Sequence, residues 1–88
     1  PVTLYITINR DPDGIPREVF VKADEGFQPE ADGLAELASL AMRHGAAPEL
    51  IARHLRHRRY PPHGHPGQPC SISDAIGLAI EQEVQHGG

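Results

Sequence analysis

The chain has 88 residues, of which 39% are hydrophobic and 5% aromatic, and its formal net charge is −4. A chain of this length forms one small domain with limited stability of its own, and the absence of tryptophan leaves an aliphatic core. The single cysteine excludes an internal disulfide, and no apolar run is long enough to cross a bilayer. We therefore expect one cytoplasmic domain, residues 1–88, without a membrane segment.

The first part of the chain is predicted to form a β-hairpin over residues 2–22. Apolar and polar residues alternate from Val2 to Asn9, which is the period of a half-buried strand. The sequence RDPDGIP follows, in which Pro12 restricts φ and Gly14 accepts a positive φ, so the chain should reverse there. The sequence REVFVK then supplies a second strand that pairs with the first.

Two helices are predicted after the hairpin. The first covers about residues 30–44 and ends before Gly45, a residue suited to a left-handed helix cap. The second covers residues 48–58 and begins at Pro48, a favoured first-turn residue. Their predicted buried stripes are Leu34, Leu37, Leu40 and Ala41 in the first helix, and Leu50, Ile51 and Leu55 in the second.

A third helix is predicted over residues 72–85, after a loop rich in proline and glycine. Ser71 and Asp74 have the spacing of a capping box, in which each side chain accepts a hydrogen bond from a backbone N–H near the other. The predicted buried stripe consists of Ala75, Ile76, Ala79, Ile80 and Val84. The complete prediction is an α+β domain with a two-stranded antiparallel hairpin followed by three helices.

The order of these segments and their residues resemble a known family. The pieces YITINRDPDGIPREVFV, LASLAMRHG, PELIARHLRHRR and SISDAIG are similar to the TSCPD domain found near the C-terminus of adenosylcobalamin-dependent, class II ribonucleotide reductases. Over the motif that names the family, the chain keeps Ser71 and Asp74. It has Ile72 at the position of the motif cysteine and Ser73 at the position of the proline.

The resemblance implies a ribonucleotide reductase as parent or partner, with the cobalamin cofactor bound elsewhere. Radical nucleotide reduction requires several cysteines, and this chain has only Cys70. We therefore expect no catalytic residues and no cofactor on the chain itself, and we interpret it as an accessory domain. Its predicted modes of action are docking to the reductase or contact with a nucleotide or nucleic acid. Ser71 and Asp74 are interpreted as a helix cap.

The segment 53–70 carries two alternative hypotheses for an independent small binding protein. Imidazoles and a thiol are zinc ligands, and five such residues lie close in sequence: His54, His57, His63, His65 and Cys70. Four arginines are candidates for phosphate binding: Arg53, Arg56, Arg58 and Arg59. The default interpretation of both groups is solvated surface, because the histidines lack the compact pair spacing of zinc sites and cations favour helix C-termini for reasons of the helix dipole.

The hairpin also predicts self-association. A two-stranded sheet leaves an unpaired edge, and Tyr5 and Phe20 should lie near each other on the face away from the aliphatic residues. We expect a homodimer in which hairpins pair across a two-fold axis and extend the sheet.

Overall fold

The structure of the chain is a computed structural model that describes residues 3–86. It confirms the predicted α+β arrangement, a two-stranded antiparallel sheet followed by three helices. Val2, the predicted first residue of the hairpin, lies outside the described residues. The elements are β1 (Leu4–Arg10), β2 (Pro16–Ala23), a short 3-10 turn (Glu25–Phe27), α1 (Gln28–Arg43), α2 (Pro48–Leu55) and α3 (Ile72–His86).

The hairpin turn is built by local chemistry. The Gly14 N–H donates to the Asp11 carbonyl at 2.9 Å, and Gly14 has the positive φ, +83°, that its position predicts. The Asp11 carboxylate accepts hydrogen bonds from the N–H groups of Asp13 and Ile15 at 2.9 and 3.0 Å, as an Asx turn requires. The resulting register pairs Ile6 with Val21 and Ile8 with Val19.

The two aromatic side chains of the hairpin lie on the face away from the helices. Phe20 is directly opposite Thr7, and Tyr5 is opposite Lys22, so the two rings are diagonal neighbours. Tyr5 is 69% exposed and Phe20 is 53% exposed. This outer face of the sheet is therefore open, whereas Val19 and Val21 on the inner face are buried.

Helix α1 packs on β2 through small residues, so the predicted leucine stripe was only partly right: Leu34 packs against the core, but Leu37 and Leu40 do not. The exposed fractions of Leu37 and Leu40 are 67% and 48%. The buried face instead consists of Ala31, Ala35, Ala38, Ser39 and Met42. The physical reason is the distance between helix and strand: the Ser39 hydroxyl hydrogen bonds to the Val19 backbone at 2.8 Å, and a row of leucines on that face would hold the two backbones too far apart.

The first helix ends where the sequence predicts. Gly45 has a φ of +100°, and its N–H donates to the Met42 carbonyl while the Ala46 N–H donates to the Ala41 carbonyl. These two bonds form a Schellman motif, which satisfies carbonyls that the helix end would otherwise leave unpaired.

Helix α2 is shorter than predicted. It begins at Pro48 as expected but ends at Leu55, because Arg56 is extended and His57 has a left-handed φ of 64°. Arg58 and Arg59 therefore lie outside the helix, and His54 and His57 do not share a helical face. Of the predicted buried residues, Ile51 and Leu55 are partly buried against the core, whereas Leu50 is 42% exposed. The buried residues of α2 are Pro48 and Ala52.

Helix α3 supplies the centre of the core. The side chains of Ile72, Ile76 and Ile80 are buried, and they pack with the valines of β2 and the small residues of α1. The helix begins at Ile72 as predicted. Helices α1 and α3 cover one face of the sheet, and α2 packs against α3. No helix within residues 3–86 has the length and apolar character needed to cross a membrane.

Candidate functional site

Two of the segments singled out in the sequence meet at one place, where the end of α2 faces the start of α3. We call it the α2–α3 junction and define it as residues 55–60 and 70–74. It contains the residues that correspond to the family motif, together with Arg56, a candidate arginine whose side chain is partly buried.

Asp74 is the centre of the junction. Its side chain is only 6% exposed. Its Oδ1 accepts hydrogen bonds from Arg56 Nε and from the His57 N–H, both at 2.8 Å. Its Oδ2 accepts one from the Cys70 N–H at 2.9 Å. A single carboxylate therefore joins the end of α2, the end of the loop and the first turn of α3.

These bonds determine the ionisation of Asp74. Burial acts to raise its pKa, but the hydrogen bonds from the His57 N–H, the Cys70 N–H and Arg56 outweigh it and hold the pKa well below the ordinary value of 3.8. The carboxylate is ionised at neutral pH. A group with this pKa accepts hydrogen bonds but does not act as a general acid or base near neutrality.

The two serines of the motif are also bonded within the chain. The Ser71 hydroxyl accepts from the Asp74 N–H at 3.0 Å, which is one half of a capping box. The other half differs from the prediction, because Asp74 reaches back to the N–H of Cys70. The Ser73 hydroxyl donates to the Leu55 carbonyl at 2.8 Å, and the Ser73 N–H donates to the Tyr60 hydroxyl at 3.3 Å.

Cys70 and Tyr60 are held in their protonated forms. Partial desolvation and the neighbouring Asp74 carboxylate raise the pKa of the Cys70 thiol. The thiol donates a weak hydrogen bond to the Arg58 carbonyl, with Sγ 3.6 Å from the oxygen. Burial likewise raises the pKa of the Tyr60 phenol. Thiolate is the nucleophilic form of cysteine, so a raised pKa lowers the fraction of reactive thiolate at neutral pH.

The four candidate arginines do not form one phosphate site. Arg56 is already paired with two carboxylates of the chain: besides Asp74 it contacts Glu81 Oε1 through Nη1 at 2.8 Å. Its side chain is 18% exposed. Arg58 donates from Nε to the His54 carbonyl at 2.6 Å. Arg53, Arg58 and Arg59 are exposed, and none of them forms an ion pair with the described part of the chain.

The candidate metal ligands are not assembled either. Within residues 3–86 no group of three or more histidine, cysteine, aspartate or glutamate side chains is arranged to hold a metal ion. His63 Nδ1 lies 2.9 Å from the Cys70 carbonyl, and the ring of the largely exposed His57 is 4.0 Å from Asp74. His54 and His65 are exposed.

A glycine in α3 allows the two helices to approach closely. A Cβ on Gly77 would lie 3.0 Å from the Ala52 carbonyl oxygen and from Leu55 Cβ, and 3.1 Å from the Arg56 nitrogen. Because two of these three atoms belong to the backbone of α2 and the residue after it, they cannot move aside as a flexible side chain would. Gly77 thus sets the helix spacing that brings Arg56 to Asp74.

Sequence reasoning missed several of these contacts. Ser73, Tyr60 and Gly77 carried no role in the prediction, although an isolated glycine in a helical segment is a known signal for close packing. The bond between Arg56 and Asp74 joins residues 18 positions apart, and no local pattern indicates it.

A comparison with protein families identifies the family of this chain. The TSCPD domain model matches residues 2–84, nearly the whole chain, and the chain belongs to the TSCPD domain family. No significant match was found among curated proteins or among solved structures. Ile72, which the resemblance places at the motif cysteine, is a buried core residue, and the segment around it contributes to packing and capping.

Proposed function

We propose that this chain is a non-catalytic accessory domain that acts by docking to a ribonucleotide reductase. Membership of the TSCPD family and the resemblance to the C-terminal domain of class II enzymes support the choice of partner. In this proposal the catalytic part of the reductase binds adenosylcobalamin. A role in deoxynucleotide supply for DNA synthesis and a cytoplasmic location follow from the proposed partner.

The observation that carries the proposal is the bonding of the α2–α3 junction. Four polar side chains of the junction bond to groups within the chain: Arg56, Ser71, Ser73 and Asp74. An enzyme or a ligand-binding site needs polar groups that remain available to a substrate. The family motif in this chain therefore supports a structural role, which leaves the outer surfaces of the domain as the functional part.

The outer face of α1 is the proposed docking surface. Leu37 and Leu40 are three positions apart, so they lie on one side of the helix, and both are exposed. Leucines that take no part in the core represent apolar area that a partner would bury, and such area drives protein association.

Calorimetric titration of the chain into the catalytic part of a class II reductase would test the proposal. We expect saturable binding that the double substitution Leu37→Lys and Leu40→Lys weakens by at least tenfold. The matched control is Leu50→Lys, which places the same charge on an exposed leucine of α2 and should leave the affinity unchanged. Absence of binding by the folded wild-type chain would reject the docking proposal.

The alternative function, an independent nucleic-acid-binding or metal-binding protein, rests on the exposed arginines and histidines of residues 53–70. Exposed cations without ion-pair partners are the groups that phosphates attract. Titration with single-stranded DNA, with ATP and with zinc covers all three ligands. Binding that is lost when Arg53, Arg58 and Arg59 are replaced by Ala, or stoichiometric zinc that is lost with His63→Ala and His65→Ala, would favour this alternative.

A further inference from the structure

Side chains of α1 bond to the outer edge of β2, whereas the outer edge of β1 has no such bonds within the described residues. On the outer edge of β2, Ser39 Oγ accepts from the Val19 N–H at 2.8 Å and donates to the Val19 carbonyl at 3.2 Å. Gln28 does the same further along: its Oε1 accepts from the Ala23 N–H at 2.7 Å and its Nε2 donates to the Val21 carbonyl at 2.8 Å. Side chains of α1 therefore close the edge of β2.

This pattern identifies the backbone groups of β1 that point away from β2. Because Val19, Val21 and Ala23 direct their backbone groups outward, their cross-strand partners form the non-hydrogen-bonded pairs of the ladder. Those partners are Ile8, Ile6 and Leu4. Their N–H and C=O groups thus point to the outer edge of β1, where no side chain or backbone group of residues 3–86 is bonded to them.

Loop residues 62–64 lie near Leu4 at one end of β1, but the strand itself lacks the sequence features that protect sheet edges. Proteins block such edges with charged residues, proline or bulges. Residues 3–9 of this chain read TLYITIN, without a charge or a proline, and the one irregularity in the pairing lies at the turn end, between Asn9 and Arg10. Leu4, Ile6 and Ile8 remain only partly buried on the inner face.

We propose that β1 pairs with β1 of a second copy of this chain, antiparallel about a two-fold axis, to form a four-stranded sheet. The free edge requires an extended strand with backbone groups on alternate residues, and a second copy presents the same unpaired groups. One two-fold contact satisfies both edges together. The pairing joins the exposed Tyr5 and Phe20 surfaces of the two copies into a continuous face.

The charges at the ends of β1 are compatible with this arrangement. An antiparallel two-fold directs the Arg10 end of one strand toward the Thr3 end of the other. Asp24, which accepts a hydrogen bond from the Thr3 N–H at 3.2 Å, lies at that end. The Arg10 side chain is paired with Glu83 of its own chain at 3.2 Å, and neither end of the contact brings like charges together. The alternation of backbone groups allows two registers, with Ile6 opposite Ile6 or with Thr7 opposite Thr7, and neither places like charges opposite each other within the strand.

A double substitution in the strand tests the contact without breaking the fold. The side chains of Tyr5 and Thr7 are exposed, so Tyr5→Glu with Thr7→Glu leaves the β1–β2 ladder intact, and Glu at position 5 faces Lys22. In either register the variant brings two glutamates directly opposite each other, which is unfavourable. We expect the dimer dissociation constant, from sedimentation equilibrium, to rise by at least about tenfold. The control, Leu37→Glu with Leu40→Glu, should dimerise as the wild type does.

Hydrogen exchange identifies the strand directly. The amides of Leu4, Ile6 and Ile8 should become protected as the protein concentration rises, whereas the Val19 amide, bonded to Ser39, should be protected at every concentration. A folded chain that remains monomeric up to millimolar concentration would overturn the proposal. So would a dimer in which the Ile6 and Ile8 amides exchange freely, or one that only the α1 substitutions dissociate.

Discussion

Replacing Asp74 by Asn tests whether the α2–α3 junction holds the domain together. The two side chains have nearly the same shape, so the substitution removes the charge and one acceptor without leaving a cavity. If the remaining oxygen stays near Arg56 and His57, the new amide group faces the Cys70 N–H, and two donors oppose each other. Flipping the amide moves the conflict to Arg56 and His57.

The expected cost follows from these bonds. Hydrogen bonds to a buried charge contribute about 1.5–3 kcal/mol, and a buried donor without an acceptor costs about 1–3 kcal/mol. Arg56 keeps Glu81 as a partner, which offsets part of the loss. We expect the free energy of unfolding to fall by about 3 kcal/mol, which for a domain of this size lowers the melting temperature by roughly 12–24 °C.

Urea denaturation followed by circular dichroism measures the change, with Asp13→Asn as the control. Asp13 is an exposed turn residue, so the same chemical change there should alter stability by no more than about 0.5 kcal/mol. Equal denaturation midpoints for the two variants would refute the conclusion that Asp74 organises the junction.

The pH dependence supplies an independent check on the same residue. The pKa of Asp74 is lower in the folded chain than its ordinary value of 3.8, so folding favours the ionised form. The stabilisation is therefore complete above that value and is lost as the pH falls below it toward the folded pKa. The wild type should lose more stability than Asp74→Asn below about pH 4. Parallel stability curves would show that the carboxylate contributes nothing through its charge.

Three further predictions concern backbone geometry and the edge of β2. Gly77→Ala should lower the melting temperature, because its Cβ would meet backbone atoms of Ala52 and Arg56. Gly33→Ala has open space around it and should raise the free energy of unfolding by up to about 1 kcal/mol. His57→Gly should raise the free energy of unfolding by up to about 1 kcal/mol, because it relieves a left-handed φ and keeps the bonded N–H. Ser39→Ala should lower it by about 1–3 kcal/mol, because both backbone groups of Val19 lose their partner. Chemical denaturation measures each change, and a reversed sign contradicts the corresponding contact.

Local chemistry in the sequence determined the turns, the order of the elements and two of the helix starts. Gly14 and Gly45 have the positive φ that their positions predict, since only glycine adopts that conformation without a steric cost. Pro48 begins α2, and Ser71 precedes α3 with its hydroxyl on the Asp74 N–H. Each of these features involves residues within four positions of one another, and such interactions are readable from spacing alone.

Tertiary structure decided which face of α1 is buried and where α2 ends. Hydrophobicity favours a leucine face, but Ser39 must reach the backbone of Val19, so small residues lie against the strand and Leu37 and Leu40 remain outside. Residues 56–60, between Leu55 and the prolines at 61 and 62, contain no proline or glycine that would end the helix at Leu55. The helix ends there because Asp74, distant in sequence, binds Arg56 and the His57 N–H in a conformation that a helix does not allow. Both outcomes depend on groups that come together only when the chain is folded. The periodicity of one segment therefore does not predict them.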